Sequence, residues 1–176
     1  MHWFIVAQVL GVLGLIVVFI AFQTKDKVKL LILDGIANLL MGLAYLAMGL
    51  YVIAAINFVA FGRDLAFAWL NNSRKKGEVH PVISVGLLFI FWAAFAAAII
   101  MLRQSWIDWI ILGLILIYVY SLWNKGNHLV RIVCLLLSVV FAYINATALN
   151  IMGVVVEGVY IVAITVFYIR LAFGKR

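Results

Sequence analysis

An amide, a guanidinium and a carboxylate interrupt the apolar stretch Ala54–Trp69, at Asn57, Arg63 and Asp64. Another carboxylate, Glu157, interrupts a similar stretch near the end of the chain. In a third stretch Asp34, Asn38 and Tyr45 share one helical stripe, because steps of four and seven return to the same face. Side chains of these types can carry a proton, pair with one another, or hydrogen-bond a polar solute. They do not make a metal site: His2, His80 and His128 are scattered and Cys134 stands alone. No nucleophile has a base at a recognisable spacing, so neither an enzyme nor a bound cofactor is expected.

The surroundings of these groups give them weight. The 176 residues are 69% hydrophobic and only 11% charged, with a mean hydropathy of +1.26. So little polar surface cannot cover a soluble domain. The chain reads as an all-α membrane protein with the lipid bilayer as its first partner, and a charge at mid-span costs about 2.5–3.5 kcal/mol there. The net charge of +7 sits in short loops, which signals topology and not nucleic-acid binding. No basic segment precedes the first apolar stretch, and Ala21-Phe22-Gln23 is a poor cleavage site, so no cleavable signal peptide is expected.

Seven stretches are long enough to span: Trp3–Phe22, Leu30–Gly49, Tyr51–Leu70, Val82–Leu102, Ile107–Leu122, Leu129–Leu149 and Ile151–Phe173. Strand alternation is absent, so the expectation is a helical bundle. Pro81 precedes the fourth span, where a missing N–H costs nothing. Lys25, Lys27, Lys29, Arg74, Lys75, Lys76, Lys125, Arg131, Arg170, Lys175 and Arg176 all fall on one side; only Arg103 falls on the other. That asymmetry predicts a cytoplasmic C-terminus and an external N-terminus in a bacterial inner membrane. Trp3, Trp106 and Trp109 would mark the outer interface, Trp69 and Trp123 the inner one.

A shift of one hundred residues lays spans one to three on spans five to seven. It aligns Gln8 with Asp108, Asp34 with Cys134, Asn38 with Ser138, Tyr45 with Asn145 and Asn57 with Glu157. The expected organisation is one transmembrane domain of two parallel three-helix bundles, residues 1–77 and 105–176, joined by a linker helix within 78–104. Parallel repeats about an axis along the membrane normal are one of the plans on which transporters are built.

A three-helix unit, a linker and a second unit resemble the SWEET sugar transporters and the PnuC vitamin transporters. The start Ala7-Gln8-Val9-Leu10-Gly11, the loop Phe22-Gln23-Thr24-Lys25 with Lys27, the Asn57-to-Arg63 spacing, and Gly153 through Glu157-Gly158 with Arg170 resemble more closely the bacterial inner-membrane family YgjV. The chain departs from SWEET proteins in lacking prolines in spans one and five. In those transporters an asparagine on the third helix of each bundle lies beside the substrate. Asn57 matches that position in type, whereas Glu157 occupies the partner position and argues against a simple sugar.

Asn57 and Glu157 each lie six residues from the outer end of their spans, about 9 Å deep at 1.5 Å per residue. They could line a substrate site or merely hydrogen-bond neighbouring helices. The wider candidate lining comprises Asn38, Ser138, Asn145, Tyr45, Tyr160, Asp64 and Gln8, with Trp92 as an additional stacking surface. Asp64 points about 100° away from Arg63 on the helix, so Asp34 is the expected partner of Arg63 in a structural ion pair. Snorkelling of Arg63 is the other possibility. The leading expectation is a carrier for a small polar metabolite (vitamin-, nucleoside- or sugar-like), working by alternating access with or without proton dependence. The alternative is a non-transporting structural or regulatory membrane protein, and homo-oligomerisation stays open.

Overall fold

The computed structural model describes residues 2–49, 51–78, 80–102, 107–124, 126–147 and 151–173. Arg103, Trp106, Lys125, Lys175, Arg176 and the side chain of Asp108, all used in the sequence reading, lie outside the described residues. Seven helices follow one another: α1 (His2–Gln23), α2 (Lys27–Ala47), α3 (Tyr51–Lys76), α4 (Pro81–Leu102), α5 (Ile107–Trp123), α6 (Asn127–Thr147) and α7 (Ile151–Phe173). No strand occurs among the described residues. Ile5–Gln23, Lys27–Ala47, Asn127–Thr147 and Gly153–Phe173 are long and apolar enough to cross a membrane, and Pro81–Ala97 and Leu112–Trp123 are shorter apolar runs.

The helix ends follow from local chemistry. Asp26 caps α2, its carboxylate accepting the Lys29 N–H at 3.0 Å. At the end of α3, Gly77 takes φ 74°, which lets the Glu78 N–H reach the Ser73 carbonyl at 3.1 Å. Only glycine enters that left-handed conformation without strain. Pro81 opens α4, as its position predicts. The exposed Asp26 also pairs with Lys75 at 3.0 Å, joining the α1–α2 turn to the end of α3.

The Lys29 N–H and the Lys75 ammonium hold the Asp26 carboxyl below its ordinary range. A group depressed in the folded state stabilises above its unfolded pKa and loses that contribution as pH falls through the folded one. Asp26→Ala should therefore cost about 1 kcal/mol at neutral pH, and the difference from wild type should vanish in acid. Thermal unfolding of both proteins across acidic pH checks this.

Helix packing follows a simple order. α2 packs between α1 and α3, α6 between α5 and α7, α1 against α7, and α3 against α5. These contacts close a ring of six helices, with α4 lying outside against α5 and α3. Exchanging α1 with α5, α2 with α6 and α3 with α7 maps the ring's contacts onto themselves. Small residues allow the closest of the approaches: a Cβ on Gly42 of α2 would come within 2.8 Å of the Phe58 ring on α3. One apolar core joins α2, α3, α4, α5 and α6 around Leu30, Phe67, Leu122 and Val130. A second joins α1, α2, α6 and α7 around Phe22, Ala37, Cys134 and Ile164. Tyr118 touches both.

Helix α4 is tied to α5 by indoles. Trp92 of α4 donates to the Leu116 carbonyl at 2.9 Å, and Trp123 of α5 donates to the Ser84 carbonyl at 2.8 Å. Trp92 thus serves helix packing, and Trp123 is more than an interfacial anchor. Trp3, Trp69 and Trp109 are exposed, as interfacial residues would be.

Candidate functional site

The buried polar groups collect at two levels inside the ring. At the first, Arg63 and Asp64 of α3 form an ion pair: Nη2 lies 2.8 Å and Nε 2.9 Å from Asp64 Oδ1. Asn38 of α2 donates to the other oxygen, Oδ2, at 2.8 Å. The guanidinium lies over the Tyr118 ring at 5.2 Å and the Phe95 ring at 5.5 Å, close enough for cation–π attraction. Asp64 is fully buried and Arg63 nearly so.

The expected Asp34–Arg63 bridge is therefore replaced by Arg63–Asp64. Adjacent side chains leave a helix in different directions at Cβ, but that separation applies only to the first bond. The long arginine side chain curls back to its neighbour, and without water the strongest available acceptor holds it. Gly35 of α2 packs beside Asp64, where a Cβ would sit in ordinary contact, 3.4 Å from Asp64 Cβ. Arg63 does not snorkel.

Asp34 is left as the surplus carboxyl group. It is 2% exposed, and Oδ2 accepts a hydrogen bond from the Tyr118 hydroxyl at 3.3 Å. Among the described residues, its Oδ1 has no hydrogen-bond partner. Tyr118 escaped the sequence reading because one tyrosine in an apolar span usually packs. Cys134, aligned with Asp34 by the repeat, lies within electrostatic reach of it and beside Ser138.

The second level lies around Glu157 of α7. Ser138 of α6 engages its carboxyl group, and Tyr45 of α2 lies within its electrostatic reach. Thus Glu157, Ser138 and Tyr45 come together from three helices. Tyr160 packs edge-on against Phe22 at 5.5 Å. Asn57 and Gln8 are half-buried on α3 and α1. Asn145 donates back to the Phe141 carbonyl at 2.9 Å within its own helix.

One end of the ring carries a feature that the sequence reading missed. Arg131, counted there as a loop charge, is fully buried. It donates to the Phe22 carbonyl from Nε and Nη2, each at 3.3 Å, to the Thr24 carbonyl, and to the Asn127 carbonyl at 3.3 Å. Its guanidinium stacks 3.7 Å from the Phe167 ring centre. Lys27 reaches the opposite way, to the carbonyls of Ser121 at 2.8 Å, Gly126 at 3.4 Å and Asn124. Asn127, its repeat equivalent, donates to the Lys25 carbonyl.

Each turn is thus held by side chains from the other half of the ring. The last carbonyls of α1 and α5 have no partners within their helices and carry partial negative charge, so buried cations suit them. This reciprocal clasp ties the two turns together at the basic end. The repeat offered a signal, since Lys27 and Asn127 align at equivalent turns.

Comparison with curated proteins and with solved structures gives no match. A family model described as bacterial inner membrane protein, Imp-YgjV, matches residues 5–175. That covers nearly the whole sequence and takes in every buried polar group described above. The chain belongs to the Imp-YgjV family of bacterial inner membrane proteins.

Proposed function

We propose that the protein is a carrier for a small polar metabolite, built as two parallel three-helix units, α1–α3 and α5–α7, with α4 as linker. The observation that carries this reading is the exchange relation of the ring: the packing order of one half repeats in the other. Two like units around polar groups are what alternating access requires, since one unit can rock against the other. The substrate position in this reading lies outward of the Arg63–Asp64 level. Glu157, Ser138, Tyr45 and Asn57 would bind it, with Asn145, Tyr160 and Gln8 as flanking groups. The basic end would be cytoplasmic and closed by the clasp, with the N-terminus outside.

The second reading, a non-transporting structural protein, draws on Arg63, Asp64 and Asn38, which satisfy one another within a packed interior. A thermal-stability screen of the purified protein against vitamins, nucleosides and sugars separates the two. A ligand at a hundred times its Kd should add about 2.7 kcal/mol of stability. Glu157→Gln should retain the fold and lose most of that ligand-dependent gain. A screen without any stabilising compound, or an equal gain in Glu157→Gln, would count against the carrier site.

A further inference from the structure

The surplus carboxyl group at Asp34 is not required by the ion pair beside it. Arg63 and Asp64 already balance one another at 2.8 Å, and Asn38 occupies the remaining Asp64 oxygen. Asp34 sits in the same buried cluster with a hydroxyl donor on Oδ2 and, among the described residues, no hydrogen-bond partner on Oδ1. The titratable groups that bear on it are Arg63 and Asp64 from α3, Tyr118 from α5, Cys134 from α6 and Tyr160 from α7. Among the described residues of α4, the Phe95 ring lies beside Arg63.

With both carboxyl groups ionised, the cluster would hold two negative charges against one positive charge, out of contact with water. Burying an uncompensated charge is far more costly than burying a neutral group that misses one hydrogen bond. A bound metal ion fits poorly. It would need several further oxygen ligands, and among the described residues no group of three or more carboxylates, histidines and cysteines is placed to hold one. A proton needs only the oxygen itself. The Tyr118 hydroxyl on Oδ2 also selects the atom, because an oxygen accepting that hydrogen bond serves as the carbonyl and leaves Oδ1 for the O–H.

We propose that Asp34 is a proton-binding site, carrying an exchangeable proton on Oδ1 while the basic end is closed, and that this proton is the coupling ion of the carrier. The coupling role rests on the carrier reading; the protonation does not. When the clasp of Lys27, Asn127 and Arg131 opens, water reaches Asp34 from the basic side. The Oδ1–H bond then breaks, the proton leaves on water, and the new carboxylate turns to the neighbouring Arg63 guanidinium. Closing the clasp expels water and requires the proton back, so each cycle moves one proton.

Infrared difference spectroscopy of the purified full chain tests the site without any substrate. The spectrum of Asp34→Asn subtracted from that of wild type at neutral pH should show one protonated-carboxyl C=O band per chain, shifting in deuterated water. Glu157→Gln should leave that band in place. If the subtraction instead reveals the bands of an ionised carboxylate, the proposal is overturned. Asp34→Glu provides the same reading where the asparagine variant does not fold: a displaced protonated-carboxyl band supports the site, and an unmoved spectrum refutes it. A protein that shows the Asp34 band but transports nothing would sink the carrier reading alone.

Discussion

Asp34→Asn combined with Asp64→Asn should destabilise the protein by more than the two single substitutions together, with an excess of about 2–3 kcal/mol. The reason lies in which groups can discard their charge. A carboxyl group in a dry site becomes neutral by taking up a proton. The Arg63 guanidinium cannot lose one in a protein. Asp34→Asn leaves the Arg63–Asp64 pair intact and should cost little. Asp64→Asn removes the partner at 2.8 Å, yet Asp34 lies near enough to ionise and take over part of its role. Only the double variant leaves a buried guanidinium without any carboxylate.

Arg63→Leu with Asp64→Leu should be milder than the double asparagine variant, because removing a whole buried pair is often neutral. Equilibrium unfolding in detergent for all four variants measures the coupling. Strict additivity of the two asparagine substitutions would show that Asp34 has no influence on Arg63.

Arg131→Ala is the other large expected effect, a loss of about 2–5 kcal/mol from the vacated volume and the orphaned carbonyls. The side chain is fully buried, stacked on Phe167, and holds Phe22, Thr24 and Asn127 through their carbonyls. Arg131→Lys should recover only a minor part. A lysine keeps the charge but has neither the planar stacking face nor the fork that reaches separate carbonyls. Lys27→Ala should weaken the clasp from the opposite half, and the two alanine substitutions should couple if both close one end.

Cys134 is a built-in reporter for that closure, being buried and the only cysteine. Its labelling by a maleimide should speed up in Arg131→Ala and in Lys27→Ala under native conditions. Unchanged labelling in both variants would mean that the clasp stabilises the turns without controlling access.

Hydropathy, and with it the helices, was legible in the sequence because it is local or summed along the chain. A run of twenty apolar residues must become a helix in lipid whatever its neighbours are, since each backbone polar group has to be satisfied within the segment. The helix start at Pro81 was legible for the same reason: a proline in the first turn involves only its own turn. Even the polar stripe of Asp34, Asn38 and Tyr45 could be recognised from spacing alone.

Partnership between those polar groups depended on the tertiary structure. Sequence spacing specifies the direction of a Cβ, but not where a long guanidinium ends when neighbouring helices exclude water. Arg63 therefore turned to Asp64, and Asp34 was left with Tyr118. Arg131 and Lys27 looked like loop charges because charge counting cannot separate an ammonium in water from one plugging the carbonyl end of a distant helix. Their partners lie about a hundred positions away along the chain. Only the ring closure, with α1 against α7 and α3 against α5, brings the two turns together.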